Sequence, residues 1–239
     1  MEKMTKEEFN KLLSTLNLEC TEDQYQKLND YLNFLLEYNT HTNLTSITNI
    51  NEIFLKHFYD SLTITKVINL NNINTLLDIG SGAGFPGIVL KIFYPNLNIT
   101  LLDSNNKKIT FLNELIKKLK LANINTINIR VEDFAKNNLN KYDLVTARAV
   151  TNLRVLSEIS LPLVKINSYF IAMKGNISEE LPESESTIKI MNGYIETIEK
   201  FKLPIELSDR TLIKIKKTSV TTINMLRPYN KILKCKLTI

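Results

Sequence analysis

The chain has 239 residues, 44% of them hydrophobic, which suits one globular core with an appendage and no disulfide support. Its net charge of +5 is mild. The charged start, Met1-Glu2-Lys3-Met4-Thr5-Lys6, lacks a signal-peptide core, and no apolar run approaches the ~20 residues that cross a bilayer, so a cytoplasmic protein with no membrane span is expected. Cys20 and Cys235 stand at opposite ends without metal-ligand spacing; they read as free thiols in a reducing compartment, and no metal is expected.

Apolar residues at helical spacing predict helices over 5–17 and 21–40, the second opened by a capping box of Thr21 and Gln24. A third helix is predicted over about 51–69, so residues 1–70 read as a helical N-terminal extension. From residue 73 the pattern alternates. Strands are predicted at 74–79, 97–102, 125–130, 142–147 and 167–173, with helices at 85–94, 105–120, 132–137, 152–164 and 178–191. Two strands, 194–203 and 210–217, then follow one another with only a loop between. Alternating βα units imply a parallel α/β sheet covered on both faces, and the closing pair implies an antiparallel addition at one edge. Residues 71–217 therefore have the Rossmann-like pattern of a class I S-adenosylmethionine-dependent methyltransferase, where a dehydrogenase would continue with further βα units. Residues 218–239 form a basic C-terminal tail, expected to order in part only on binding; the three parts are expected to make one compact unit.

Four of the six glycines, Gly80, Gly82, Gly84 and Gly87, fall within the run Asp78-Ile79-Gly80-Ser81-Gly82-Ala83-Gly84-Phe85-Pro86-Gly87. Strand, glycine loop and helix is the cofactor turn of an open sheet, where glycine permits positive φ and close approach of a ligand. Gly82-x-Gly84-x-x-Gly87 also satisfies the dinucleotide pattern, so NAD is a competing cofactor. Asp78 favours S-adenosylmethionine, because a carboxylate there faces the amino-acid end of that cofactor and would repel a pyrophosphate. Asp103 ends the next strand and suits the ribose hydroxyls of either cofactor; Val131-Glu132-Asp133 follows the third strand, where an adenine would lie. The plainer alternatives are a turn-capping role for Asp78 and a helix N-cap for Asp103.

The fourth strand ends in Thr146-Ala147-Arg148-Ala149, where methyltransferases of this fold place catalytic groups. No Asn-Pro-Pro-Tyr run favours an adenine amine, and no cysteine stands nearby to attack a pyrimidine at C5. What remains is an acceptor that needs little chemical help, and guanine N7 is one: its lone pair is free and no proton has to leave first. Arg148 is the candidate catalytic residue, contacting cofactor carboxylate or phosphate, with a structural ion pair as the alternative. Residues 200–239 carry ten basic groups against Glu206 and Asp209, which suggests a polyanion partner or, more plainly, a solvated strand face and a frayed tail.

Several stretches together resemble one family. They are Asn43-Leu44-Thr45-Ser46, His57-Phe58-Tyr59-Asp60-Ser61, the glycine loop with Phe85-Pro86-Gly87, Leu101-Leu102-Asp103-Ser104, Lys107-Lys108 before Phe111-Leu112, Arg130-Val131-Glu132 and Thr146-Ala147-Arg148-Ala149. They resemble the RsmG family, ribosomal RNA small subunit methyltransferase G, also called glucose-inhibited division protein B. The resemblance implies methyl transfer from S-adenosylmethionine to N7 of guanosine 527 in the 530 loop of 16S rRNA, on rRNA or a small-subunit precursor; the sequence does not give the oligomeric state, for which a monomer is favoured. It implies cofactor contacts from Gly80, Phe85, Val131, Glu132 and Arg148, with Asp103 near the ribose, beside the Asp78, Gly82 and Gly84 of the loop. Arg227, Lys231, Lys234 and Lys236 are expected to meet RNA phosphates, although in Arg227-Pro228-Tyr229-Asn230-Lys231 the Asn-Lys of the family's Pro-Asn-Lys run survives without its proline and without the segment's glycine. His57 is expected to be a packing histidine, with a substrate-pocket role as the alternative. A small-molecule methyltransferase and a non-catalytic, cofactor-sensing RNA-binding protein are the competing functions.

Overall fold

The computed structural model describes residues 3–234 and Leu237. Thr5 with Glu8 and Thr21 with Gln24 close reciprocal capping boxes, which fix the starts of α1 (Lys6–Leu13) and α2 (Glu22–Thr42). The third predicted helix is not uniform. Here α3 (Ile50–Ile53) runs into a π-helical stretch, Phe54–Tyr59, followed by α4 (Asp60–Leu62) and a 3-10 turn, Thr63–Lys66. Within the π stretch Phe54, Leu55, His57, Phe58 and Tyr59 are all buried, so the wider turn sits inside the protein and not on its rim.

The alternating part comprises β1 (Thr75–Ile79), α5 (Gly87–Phe93), β2 (Asn98–Asp103), α6 (Asn106–Lys118), β3 (Ile124–Asn128), α7 (Val131–Ala135), β4 (Tyr142–Arg148), α8 (Leu153–Ser160), β5 (Val164–Lys174) and α9 (Glu180–Ile190). The hairpin β6 (Gly193–Lys202) and β7 (Asp209–Lys217) and a short α10 (Tyr229–Lys234) complete it. The strands form a seven-stranded sheet in the order β3-β2-β1-β4-β5-β7-β6. β1 to β5 run parallel, and β7 lies antiparallel between β5 and β6. The chain moves outward from β1 in one direction through β2 and β3, then returns to the other side through β4. That reversal opens a crevice at the carboxyl ends of β1 and β4, where open α/β sheets hold ligands. The register Asp78 to Thr146 and Ile79 to Ala147 sets the glycine loop beside Arg148.

Side chains alternate across the strands, and each face buries its own apolar layer. Leu76, Leu101 and Leu144 pack with Phe9, Leu28, Leu32, Phe54, Phe58 and Phe111, so the first seventy residues share one core with α5 and α6. Leu77, Leu102 and Val145 point the other way, onto α7, α8 and α9. In the described part of the tail, a 3-10 turn at Ile223–Met225 leads into α10, whose Ile232 is buried against the α8 layer.

Candidate active site

Gly80, Gly82 and Gly84 adopt φ of 67°, 59° and 98°, the left-handed region that glycine enters without strain. Their surroundings differ. A Cβ on Gly84 would come within 2.6 Å of Ile88 and 2.9 Å of the Tyr31 hydroxyl, so this glycine admits the core helices and not a ligand, against the expectation for it. A Cβ on Gly82 would meet nothing closer than a backbone oxygen at 3.8 Å. Gly80 faces Val150 across the crevice. The loop is clamped from the far side by the Tyr31 hydroxyl, which donates to the Ala83 carbonyl.

Asp78 also turns away from the expected ligand. It is fully buried, and its Oδ2 accepts the Gly87 N–H at 2.9 Å, which makes it a plug in the first turn of α5. Burial pushes its pKa up to about 7, against the pull of the Gly87 N–H and the Arg148 charge. The turn-capping reading is the one the geometry supports. It also bears on NAD: Gly87 N–H is taken by Asp78 and Ile88 N–H by the Gly84 carbonyl, so these two donors of the helix start are not open to a pyrophosphate.

Gly80, Asp103, Val131 and Glu132 come together around one cavity of about 270 Å³, with Ile79, Lys108, Ile129, Arg130, Ala149, Val150, Ile159 and Tyr229. Asp103 Oδ2 accepts the Gly82 N–H at 3.0 Å and Oδ1 accepts the Asn105 N–H at 2.9 Å. The carboxylate thus ties the loop to the end of β2, and each oxygen keeps a lone pair for a ribose hydroxyl. The N-cap of α6 is Asn105 and not Asp103, which instead accepts the N–H of that cap residue. Three of the predicted cofactor residues, Asp78, Gly84 and Phe85, sit behind the cavity wall, and Gly82 joins it through its bond to Asp103.

Phe85 stacks between Tyr31 (centroids 5.2 Å apart) and His57 (4.4 Å), with the Arg148 guanidinium 5.1 Å from its ring centre. It is a buried hub joining the N-terminal helices to the loop. Arg148 donates to the Lys56 carbonyl (3.0 Å) and to Asp60 Oδ2 (3.2 Å), while Arg210 Nε donates to Asp60 Oδ1 (3.0 Å). The structural ion pair is therefore present. His57 Nε2 lies 3.0 Å from Thr45 Oγ1; burial, reinforced by the Arg148 charge, pushes its pKa down to about 3, so the imidazole is neutral at neutral pH. His57, Asp60 and Arg148 line a second cavity of about 370 Å³ that includes Lys56, Lys174, Phe201 and Arg210. Ala149 lines both cavities and has φ of 53°, uncommon for a residue with a side chain.

The rRNA small subunit methyltransferase G family model (GidB) matches residues 24–212. The chain belongs to this family. Relatives that carry the name ribosomal RNA small subunit methyltransferase G include proteins of Desulforamulus reducens and Bacillus subtilis. The first is 46% identical over 209 residues, covering 86% of this chain and 87% of that one. The second is 44% identical over 221 residues, covering 91% and 92%. Among solved structures, a SAM-dependent methyltransferase from Aquifex aeolicus superposes with a TM-score of 0.53 over 73% of this chain and 97% of that one, at 14% identity, a likeness of fold. The protein is an S-adenosylmethionine-dependent methyltransferase, and the donor set of the first cavity, with carboxylates at Asp103 and Glu132 beside Gly80, fits that cofactor.

The predicted RNA contacts separate. Arg227 makes a two-pronged pair with Glu158, both contacts 2.7 Å, and Glu158 is 3% exposed. Arg227 is thus an anchor of the tail, contrary to its expected role. Lys231 and Lys234 are exposed on α10; Lys236 lies outside the described residues, as does Cys235. Among the described residues no helix is long and apolar enough to cross a membrane, and no cluster of metal-binding side chains occurs. Sequence reasoning missed Asp60, Lys174, Arg210 and Tyr229. Asp60 had a signal, its place three residues after His57 in the quoted family stretch; the others meet the site only through long-range folding.

Proposed function

We propose that the protein transfers a methyl group from S-adenosylmethionine to N7 of guanosine 527 in the 530 loop of 16S rRNA, acting in the cytoplasm on rRNA or a small-subunit precursor. The observation that carries this reading is the junction at Ala149: one cavity with a ribose-type carboxylate adjoins a second, cation-lined cavity at the end of β4. Bound in the first cavity, the cofactor supplies an electrophilic methyl group. Asp103 holds its ribose, Glu132 and Val131 flank its adenine, and Gly80 lets it approach the backbone. The second cavity takes the acceptor base. Guanine N7 needs no base to remove a proton, so Arg148, Asp60 and His57 position and do not transfer protons. The neutral His57 adds no charge beside the Arg148 guanidinium. The target base has to leave its stack to reach such a cavity, and Lys231 and Lys234 hold the surrounding phosphates while it does.

The test is to incubate the protein with labelled S-adenosylmethionine and either protein-free 16S rRNA or small subunits that lack the modification, then map the labelled base by chain cleavage at N7-methylguanosine. A single signal at position 527 is expected. Label at another base or atom, or on no RNA, refutes the reading.

A further inference from the structure

The C-terminal segment does more than carry lysines. Lys217, at the end of β7, is buried; its Nζ donates to the Leu161 carbonyl at 2.6 Å and to the Thr221 hydroxyl. The Asn140 side chain then brackets Thr221, donating to its carbonyl and accepting its N–H. Further on, Arg227 grips Glu158, and Arg154 donates to the Ile232 carbonyl at 3.0 Å. The segment is thus fixed to α8 on both sides of one residue, Tyr229.

None of those anchors uses the Tyr229 ring. The ring lines the first cavity, at the β3–α7 turn, with the Arg130 guanidinium 5.9 Å from its centre. The neighbouring wall is aliphatic: Ile129, Val131 and Ile159. Tyr229 is the one aromatic side chain among the residues lining that cavity. A flat heteroaromatic base gains most from a ring face, and a half-buried tyrosine held by its neighbours offers one at little cost in side-chain freedom.

We propose that Tyr229 forms the aromatic wall of the adenine end of the cofactor site, which makes the C-terminal segment part of that site as well as an RNA contact. This rests on the reading that the cavity holds S-adenosylmethionine with its ribose at Asp103 and its adenine beside Val131 and Glu132.

The experiment is calorimetric titration of the full-length protein with S-adenosylhomocysteine and with 5′-methylthioadenosine, which keeps the adenine and ribose and lacks the amino-acid end. Tyr229→Ala should weaken both ligands by the same factor, on the order of tenfold or more, as for loss of one aromatic stack on a base. Tyr229→Phe should stay near wild type, and so should Leu233→Ala, which changes an exposed residue of the same helix. Thermal melts check that all three variants fold. Wild-type affinity in Tyr229→Ala would overturn the proposal, as would a loss confined to S-adenosylhomocysteine, which would put the contact at the amino-acid end. Wild-type protein that bound neither ligand would overturn the cofactor reading itself, and the proposal with it.

Discussion

Replacing His57 with glutamine should change the slope of stability against pH, and the sign follows from two buried groups. In the folded protein His57 has a pKa of about 3 against an ordinary 6.5. Between those values the unfolded chain binds the extra proton, so stability is lost as pH falls. From about pH 8 to pH 5 that loss integrates to about 2 kcal/mol. Asp78 works in the opposite direction. Its folded pKa is about 7 against an ordinary 3.8, so the folded chain binds the extra proton and stability is gained on acidification. Over the same interval the gain is about 2.5 kcal/mol, and the two contributions nearly cancel in the wild type. Glutamine keeps a hydrogen-bonding group for Thr45 and does not titrate. The change in stability of His57→Gln on going from pH 8 to pH 5 should therefore be about 2 kcal/mol more favourable than that of the wild type. For a chain of this length that is a relative shift in Tm of about 4–8 °C. Asp78→Asn should show the reverse difference. Thermal melts at several pH values read it directly. Parallel curves for wild type and His57→Gln would refute the reasoning, because an imidazole stacked on Phe85 beside Arg148 cannot be both neutral-locked and free to titrate normally.

Other substitutions separate cofactor contacts from packing. Asp103→Asn should weaken S-adenosylhomocysteine by about 1.5–3 kcal/mol in calorimetry, the range for hydrogen bonds to a charged group; unchanged affinity would remove the ribose role. Gly84→Ala should unfold well below Gly82→Ala, since its methyl meets Ile88, Tyr31 and Leu112 while the Gly82 position is open and costs about 1–2 kcal/mol of backbone strain; equal melting temperatures would contradict that packing. Arg227→Ala should cost about 3 kcal/mol of stability by leaving Glu158 buried and unpaired, and Glu158→Gln in the same chain should recover part of it. Lys231→Ala with Lys234→Ala should flatten the slope of log RNA affinity on log salt by about 1.4, at ~0.7 per phosphate, with the melting temperature unmoved; an unaltered slope would put the RNA elsewhere.

What the sequence made legible was local, and what it hid was every contact that depends on distant segments meeting. The alternating strands and helices, the glycine loop and the capping boxes come from residues within a few positions of one another, and Asp103 was readable because it ends a strand beside the loop. Asp78 was misplaced for a physical reason: its partner, the Gly87 N–H, lies nine residues on, and the contact exists only because three left-handed glycines turn the loop back on itself. Arg148 stood out at the end of its strand, but its acid, Asp60, is 88 residues away, and the second arginine on that acid is 150 away. The basic tail shows the same effect in charge. A count of ten cations against two acids treats each as free. In the folded chain Lys217 is buried, Arg210 is held by Asp60, Lys214 by Glu196 and Arg227 by Glu158, and three of those partners lie outside the counted segment. Pairing of this kind converts an electrostatic patch into a set of anchors. It leaves Lys231 and Lys234 exposed on α10 and sets Tyr229 at the wall of the first cavity. A one-dimensional charge count therefore marked the tail as basic while concealing the contacts that hold four of its cations in the fold.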